Sequence, residues 1–158
     1  MALTSCLARP AAFLLLLAIG GCDVPRDPEG TLGRVAGGTM RVGVAHPADL
    51  GPEEAAIARL ERSLVQDFAD QLKARIEWIA VTEGEGMERL HRHELDLLLA
   101  GLAKTTPWQK KVGLTRPFLE TERGGRKIQH VLAAPPGENG WLVRIERFLT
   151  EAQPKLPQ

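Results

Sequence analysis

The chain has 158 residues, 44% of them hydrophobic, with 20 basic and 20 acidic side chains and a formal net charge of zero. That length suits one domain built around one core. So balanced a charge argues against nucleic acid as a partner, which a basic surface would mark.

Residues 1–22, "MALTSCLARPAAFLLLLAIGGC", carry one cation, Arg9, then an apolar run from Ala11 to Ile19, two glycines and Cys22. The run is too short for a transmembrane helix, which needs roughly 20 apolar residues, and suits the hydrophobic part of an export signal. Ile19-Gly20-Gly21-Cys22 resembles a bacterial lipobox, with Ile19 in place of the usual leucine. The resemblance implies cleavage before Cys22 and lipidation of its thiol, with palmitate among the acyl chains, and so a membrane anchor. An ordinary signal peptide or an N-terminal anchor that happens to contain a cysteine is the alternative. Cleavage would remove Cys6 and leave Cys22 as the one thiol, so neither a disulfide framework nor a thiolate metal site is expected. The processed chain would keep 19 basic and 20 acidic residues, a formal charge of −1. Asp23, by resemblance to proteobacterial lipoproteins, implies the periplasmic side of the inner membrane.

The segment 23–39, "DVPRDPEGTLGRVAGGT", has no apolar period and is rich in Gly, Pro and charge, so it reads as a flexible tether. The expected organisation is a signal over 1–21, a tether over 22–38, one domain over 39–152 and a disordered tail over 153–158. Within the domain "MRVGVA" (40–45) is a strand, and "HPADLGPEE" a loop. A long helix follows, with Ile57, Leu60, Leu64, Val65, Phe68, Ala69 and Leu72 at spacings of three and four. "RIEWIAV" (75–81) alternates like a strand, "GMERLHRHE" (86–94) is a short helix, and "LDLLLAGL" (95–102) is apolar enough for a strand covered on both faces. "IQHVLAAPP" (128–136) is a further strand and "ENGWLVRIERFLTEA" (138–152) a closing helix. The fold class is therefore α/β, a single three-layer lobe whose mostly parallel sheet is flanked by helices. Ligands of such sheets bind beyond the carboxyl ends of the strands.

The order "MRVGVA", "DFADQL", "IEWIAV", "ELDLLLAGL" and "AGLAKTTPWQKKVGLTRPF" resembles the first lobe of bacterial extracellular solute-binding proteins of family 3, which feed amino-acid ABC transporters. The resemblance spans about residues 39–120 and implies a periplasmic-binding-protein-like (type II) lobe. It also implies a small-molecule solute, an ABC permease as partner, no cofactor, and a ligand edge made of His46, Gly101, Leu102, Ala103, Thr105 and Trp108. Two departures matter. The family's arginine, which forks onto a ligand carboxylate, is replaced by Trp108, and an indole has one donor and no charge. A hydroxyl is also lost at Ala103. Between Phe118 and the return strand stand only the eleven residues "LETERGGRKIQ", too few for a second lobe. Deep pockets bury roughly 70–90% of a small ligand, whereas one lobe leaves about half of it in water.

The expected function is thus a lipid-anchored, solute-binding-like protein associated with transport, taking an apolar or aromatic-stacking solute weakly rather than an amino acid held by its carboxylate. The alternative is an envelope interaction module docking through an exposed edge of Trp108, Leu114 and Phe118; a decayed remnant of a binding protein is a third reading. His91 and His93 diverge by about 200° on a helix, so a solvated helix end is expected over a metal site. His46 sits where a ligand edge should be, although a plain loop histidine is the readier reading. Arg116 suggests an anion contact or a pair with Glu120, Asp96 a structural role, and Trp78 and Trp141 core packing. No nucleophile–base pair, phosphate-cradling loop or metal cluster is legible, and no enzyme is expected.

Overall fold

A computed structural model describes residues 26–47 and 49–153. The expected signal, Cys22 and the tail from residue 154 onward lie outside the described residues. The chain runs α1 (Thr31–Val35), β1 (Thr39–Val44), α2 (Pro52–Leu72), β2 (Arg75–Ala80), α3 (Glu83–His91) and β3 (Leu97–Leu99). A 3₁₀ turn (Pro107–Lys110), β4 (Gly113–Leu114), β5 (Leu119–Arg123), β6 (Arg126–His130), β7 (Ala133–Ala134) and α4 (Asn139–Ala152) complete it.

The main sheet has the order β2-β1-β3-β7-β4. β1 pairs in parallel with both β2 and β3, Val42 standing between Trp78 and Leu97, while β7 runs antiparallel to its neighbours. The path from β1 through α2 to β2 goes one way along the sheet, and the path through α3 to β3 returns over it, so the two helices cover opposite faces. β3 shows the result: Leu97 and Leu99 join the core under α2 and α4 with Val42, Phe68 and Trp141, and Leu98 joins the core under α3 with Met87 and Leu90. All three leucines are buried, as the unbroken apolar run predicts.

Local chemistry explains the element ends. Pro52 opens α2 and Glu53 and Glu54 occupy its first turn, where the helix dipole favours negative charge. α3 begins at Glu83, three residues before the expected start, because the Thr82 hydroxyl accepts a bond from the Glu85 N–H at 3.3 Å. Gly86 lies inside that helix because a Cβ there would come within 2.5 Å of a Leu98 methyl. The return strand expected over 128–136 divides: β6 pairs with β5 as a hairpin turned by Gly124 and Gly125, both at positive φ, and β7 alone enters the main sheet.

The flexible tether expected over 22–38 is corrected for residues 26–38. Thr31 and Val35 are buried, and two carboxylates fasten the segment to the far end of the chain. Glu138 accepts from the N–H groups of Glu29 (2.9 Å) and Thr31 (3.0 Å), and Asp27 accepts from those of Leu32 (2.8 Å) and Trp141 (3.2 Å). Each side chain thereby serves the N-terminus of a helix whose orphan donors would otherwise go unpaired. Arg34 adds an ion pair to the buried Asp96.

Candidate functional site

Because α2 and α3 leave the sheet on opposite faces, the strand order changes direction between β1 and β3, and a crevice opens beyond their carboxyl ends. A cleft of about 630 Å³ lies there. Its floor is the loop after β1 (Ala45–Pro47) and the turn after β3 (Ala100, Gly101, Ala103); its walls are Glu54 and Ile57 of α2, Thr82 and Glu83 at the start of α3, and Arg123, Ile128 and His130 of the hairpin. The hairpin thus stands along one side of the cleft. Its Arg123 is held to α2 by Glu54 at 2.7 Å and Glu53 at 3.7 Å.

Beneath the floor lies Glu61, a fully buried carboxylate one helical turn beyond Ile57. Its Oε2 accepts from the Gly101 N–H at 3.3 Å and lies 2.9 Å from His46 Nε2, out of line for a good hydrogen bond. Glu61 therefore ties the loops after β1 and β3 to α2 and sets the shape of the floor. Gly101 turns there at φ 59°, in the left-handed region that favours glycine. His130 is buried against the same floor, its Nε2 2.9 Å from Thr121 Oγ1. Burial pushes its imidazole below the ordinary value, opposed by the charge of Glu61. A second groove of about 540 Å³ runs between α2 and the hairpin, past Ile57, Leu60 and Leu119.

Of the residues expected at the ligand edge, His46, Gly101 and Ala103 line the cleft. Leu102 does not: it is buried in the core under α3. Thr105 is exposed outside the cleft. Trp108 sits on the 3₁₀ turn with its ring against that same core, Lys111 Nζ 5.2 Å from the ring centroid, and its Nε1–H donates to Glu83 Oε1 at 3.1 Å. The indole is used within the protein, so the expected stacking surface is corrected. The docking edge also loses its anchors, since Phe118 is buried and Leu114 half-buried in packed cores. Arg116 pairs with Glu146, not Glu120, whose partner is Lys127. Among the described residues no three metal-ligating side chains converge. Sequence reasoning missed Glu54, Glu61, Glu83, Arg123 and His130. The signal for Glu61 was present, a charge set in the apolar stripe of α2 between the buried Ile57, Leu64 and Val65 at helical spacing.

No family model matches the sequence, and no curated protein does either. Solved structures do. A tryptophan variant of the arginine-bound form of domain 1 from TmArgBP superposes with a TM-score of 0.65 at 22% identity, over 80% of this chain and 99% of that one. An ancestral amino-acid-binding protein, a precursor of cyclohexadienyl dehydratase, gives 0.64 at 13% identity over 78% and 93%. The unliganded, open L-cystine solute receptor of Neisseria gonorrhoeae gives 0.59 at 10% over 78% and 91%. The sheet order, the flanking helices and these likenesses agree: the described chain has the fold of one lobe of a family 3 solute-binding protein.

Proposed function

We propose that the protein is an exported, lipid-anchored lipoprotein that binds a small solute in the cleft beyond β1 and β3, in the service of an envelope transport system. The observation that carries the reading is the cleft itself: a cavity of about 630 Å³ at the topological switch point, within the usual 300–1,000 Å³ of small-molecule sites. A similar lobe has been solved alone in its arginine-bound form, which supports solute binding without closure between two lobes. The ligand is not an amino acid held through its carboxylate, because the cleft presents no uncommitted guanidinium among the described residues. The export and anchor rest on Ile19-Gly20-Gly21-Cys22.

A thermal-shift screen of amino acids, sugars, polyamines and metal ions is expected to give at least one saturable hit, and that hit should vanish in Ala103→Phe, which fills the cleft. Uniform silence removes the solute-binding reading. The anchor is tested separately by mass spectrometry of protein extracted from membranes. The processed chain should begin at Cys22 with acyl mass attached, and Cys22→Ser should leave the membrane fraction; an unprocessed N-terminus on the wild type refutes it.

A further inference from the structure

The charges around the cleft are unequal. Glu54 and Glu83 line it, Arg123 is the one permanently cationic side chain among the described lining residues, and no lysine contributes. Arg123 is already neutralised by Glu54 and Glu53. Glu83 is not offset in this way, since the Trp108 indole that binds it is neutral.

A second observation points the same way. Glu54, Ile57 and Glu61 follow one another at spacings of three and four, so one face of α2 looks into the cleft and then beneath its floor. Glu61 is entirely buried there, and while its Oε2 meets His46 and Gly101, its Oε1 has no protein donor. A buried carboxyl oxygen without a donor leaves an acceptor unsatisfied beneath the floor, which favours a ligand that donates hydrogen bonds over one that only accepts them. The remaining walls, Leu50, Ile57, Val81 and Ile128, are apolar and suit a hydrocarbon stem.

Resting on the solute-binding reading of this same cleft, we propose that its ligand is an organic cation, an alkylamine or alkylguanidine, recognised through its positive group with no requirement for a carboxylate. The cationic end meets Glu83 at the rim, on the side of the floor where Glu61 leaves an acceptor unpartnered, and the methylene stem lies on the apolar walls. A carboxylate brought into the cleft meets like charge at Glu83 and a guanidinium already occupied.

Isothermal titration of the full chain with agmatine, arginine and glutarate tests this, with Glu83→Gln as the variant. The amide oxygen of the substituted side chain still accepts from the indole, so the rim keeps its geometry. Agmatine is expected to bind at least as tightly as arginine, glutarate not to saturate, and the variant to weaken agmatine about tenfold, the worth of one charge-assisted contact. Arginine binding tenfold tighter than agmatine, or an unchanged agmatine affinity in the variant, overturns the proposal. Saturable glutarate binding that is lost in Ala103→Phe overturns it while leaving the solute cleft standing; silence from all three ligands and from the wider screen overturns both.

Discussion

Replacing Asp96 with alanine is expected to destabilise the protein by about 3–5 kcal/mol, the cost of breaking a buried ion pair by removing one partner. The Asp96 side chain has no solvent exposure and receives Arg34 from α1 and the Arg41 side chain from β1, with the Arg41 N–H bonded to it at 2.8 Å. Its own carbonyl accepts the Trp141 indole N–H at 2.7 Å, so one residue ahead of β3 gathers α1, β1 and α4. Burial disfavours the ionised form, but the bonds from Arg34 and Arg41 outweigh it and hold the carboxyl below its usual value. A carboxyl depressed on folding adds stability above its unfolded pKa, about 3.9, and loses that contribution as pH falls through the folded value. Urea unfolding at neutral pH should therefore show the full deficit in Asp96→Ala, and the gap to the wild type should narrow below about pH 4. A gap that persists unchanged into acid would show that packing, not charge, is what Asp96 supplies.

Glu138→Ala is expected to cost about 2 kcal/mol, two capping bonds at about 1 kcal/mol each. The loss should be local before it is global. Hydrogen exchange of the amides at 29–35 should quicken in the variant far more than that of β1 or β3, because Glu29 and Thr31 lose their acceptor while the sheet keeps its ladder. Burial works against ionised Glu138, yet the donated bonds from Glu29 and Thr31 prevail and hold its carboxyl below the ordinary value. Its contribution therefore also fades as pH falls below about 4.3. Equal exchange at 29–35 in both proteins would mean that the burial of Val35, rather than the carboxylate, fixes the segment.

The sheet was legible because it is built from patterns the chain repeats locally. The stripe from Ile57 to Phe68 announces α2, the alternation in "RIEWIA" announces β2, and the all-leucine β3 announces cover on both faces. Contacts between distant residues left no such trace. Asp27 and Glu138 stand more than a hundred positions apart, and a glycine-rich stretch with one five-residue helix has no period to read. Half of the site was legible for the same reason: topology alone puts His46, Gly101 and Ala103 at the strand ends. The rest came from Glu54 and Glu61 of α2, Glu83 of α3 and Arg123 and His130 of the hairpin, which meet only once distant elements have packed together. Trp108 shows the limit of alignment. Its position in the register gave its place in the chain, whereas its partner Glu83, at the start of α3, determines what the side chain does.

The clasp between α1 and α4 also sets a direction for mechanical load. β7 runs against β3, so α4, which follows it, begins at the pole of the sheet opposite the cleft, and the Arg26 carbonyl accepts the Gly140 N–H at that same pole. Tension applied through the chain upstream of Arg26 is borne first by Asp27, Glu138 and the Arg34–Asp96 pair, at the amino ends of the parallel strands. The strand ends that carry the cleft lie on the unloaded side. A pull applied ahead of Arg26 would therefore reach the loops of the cleft last.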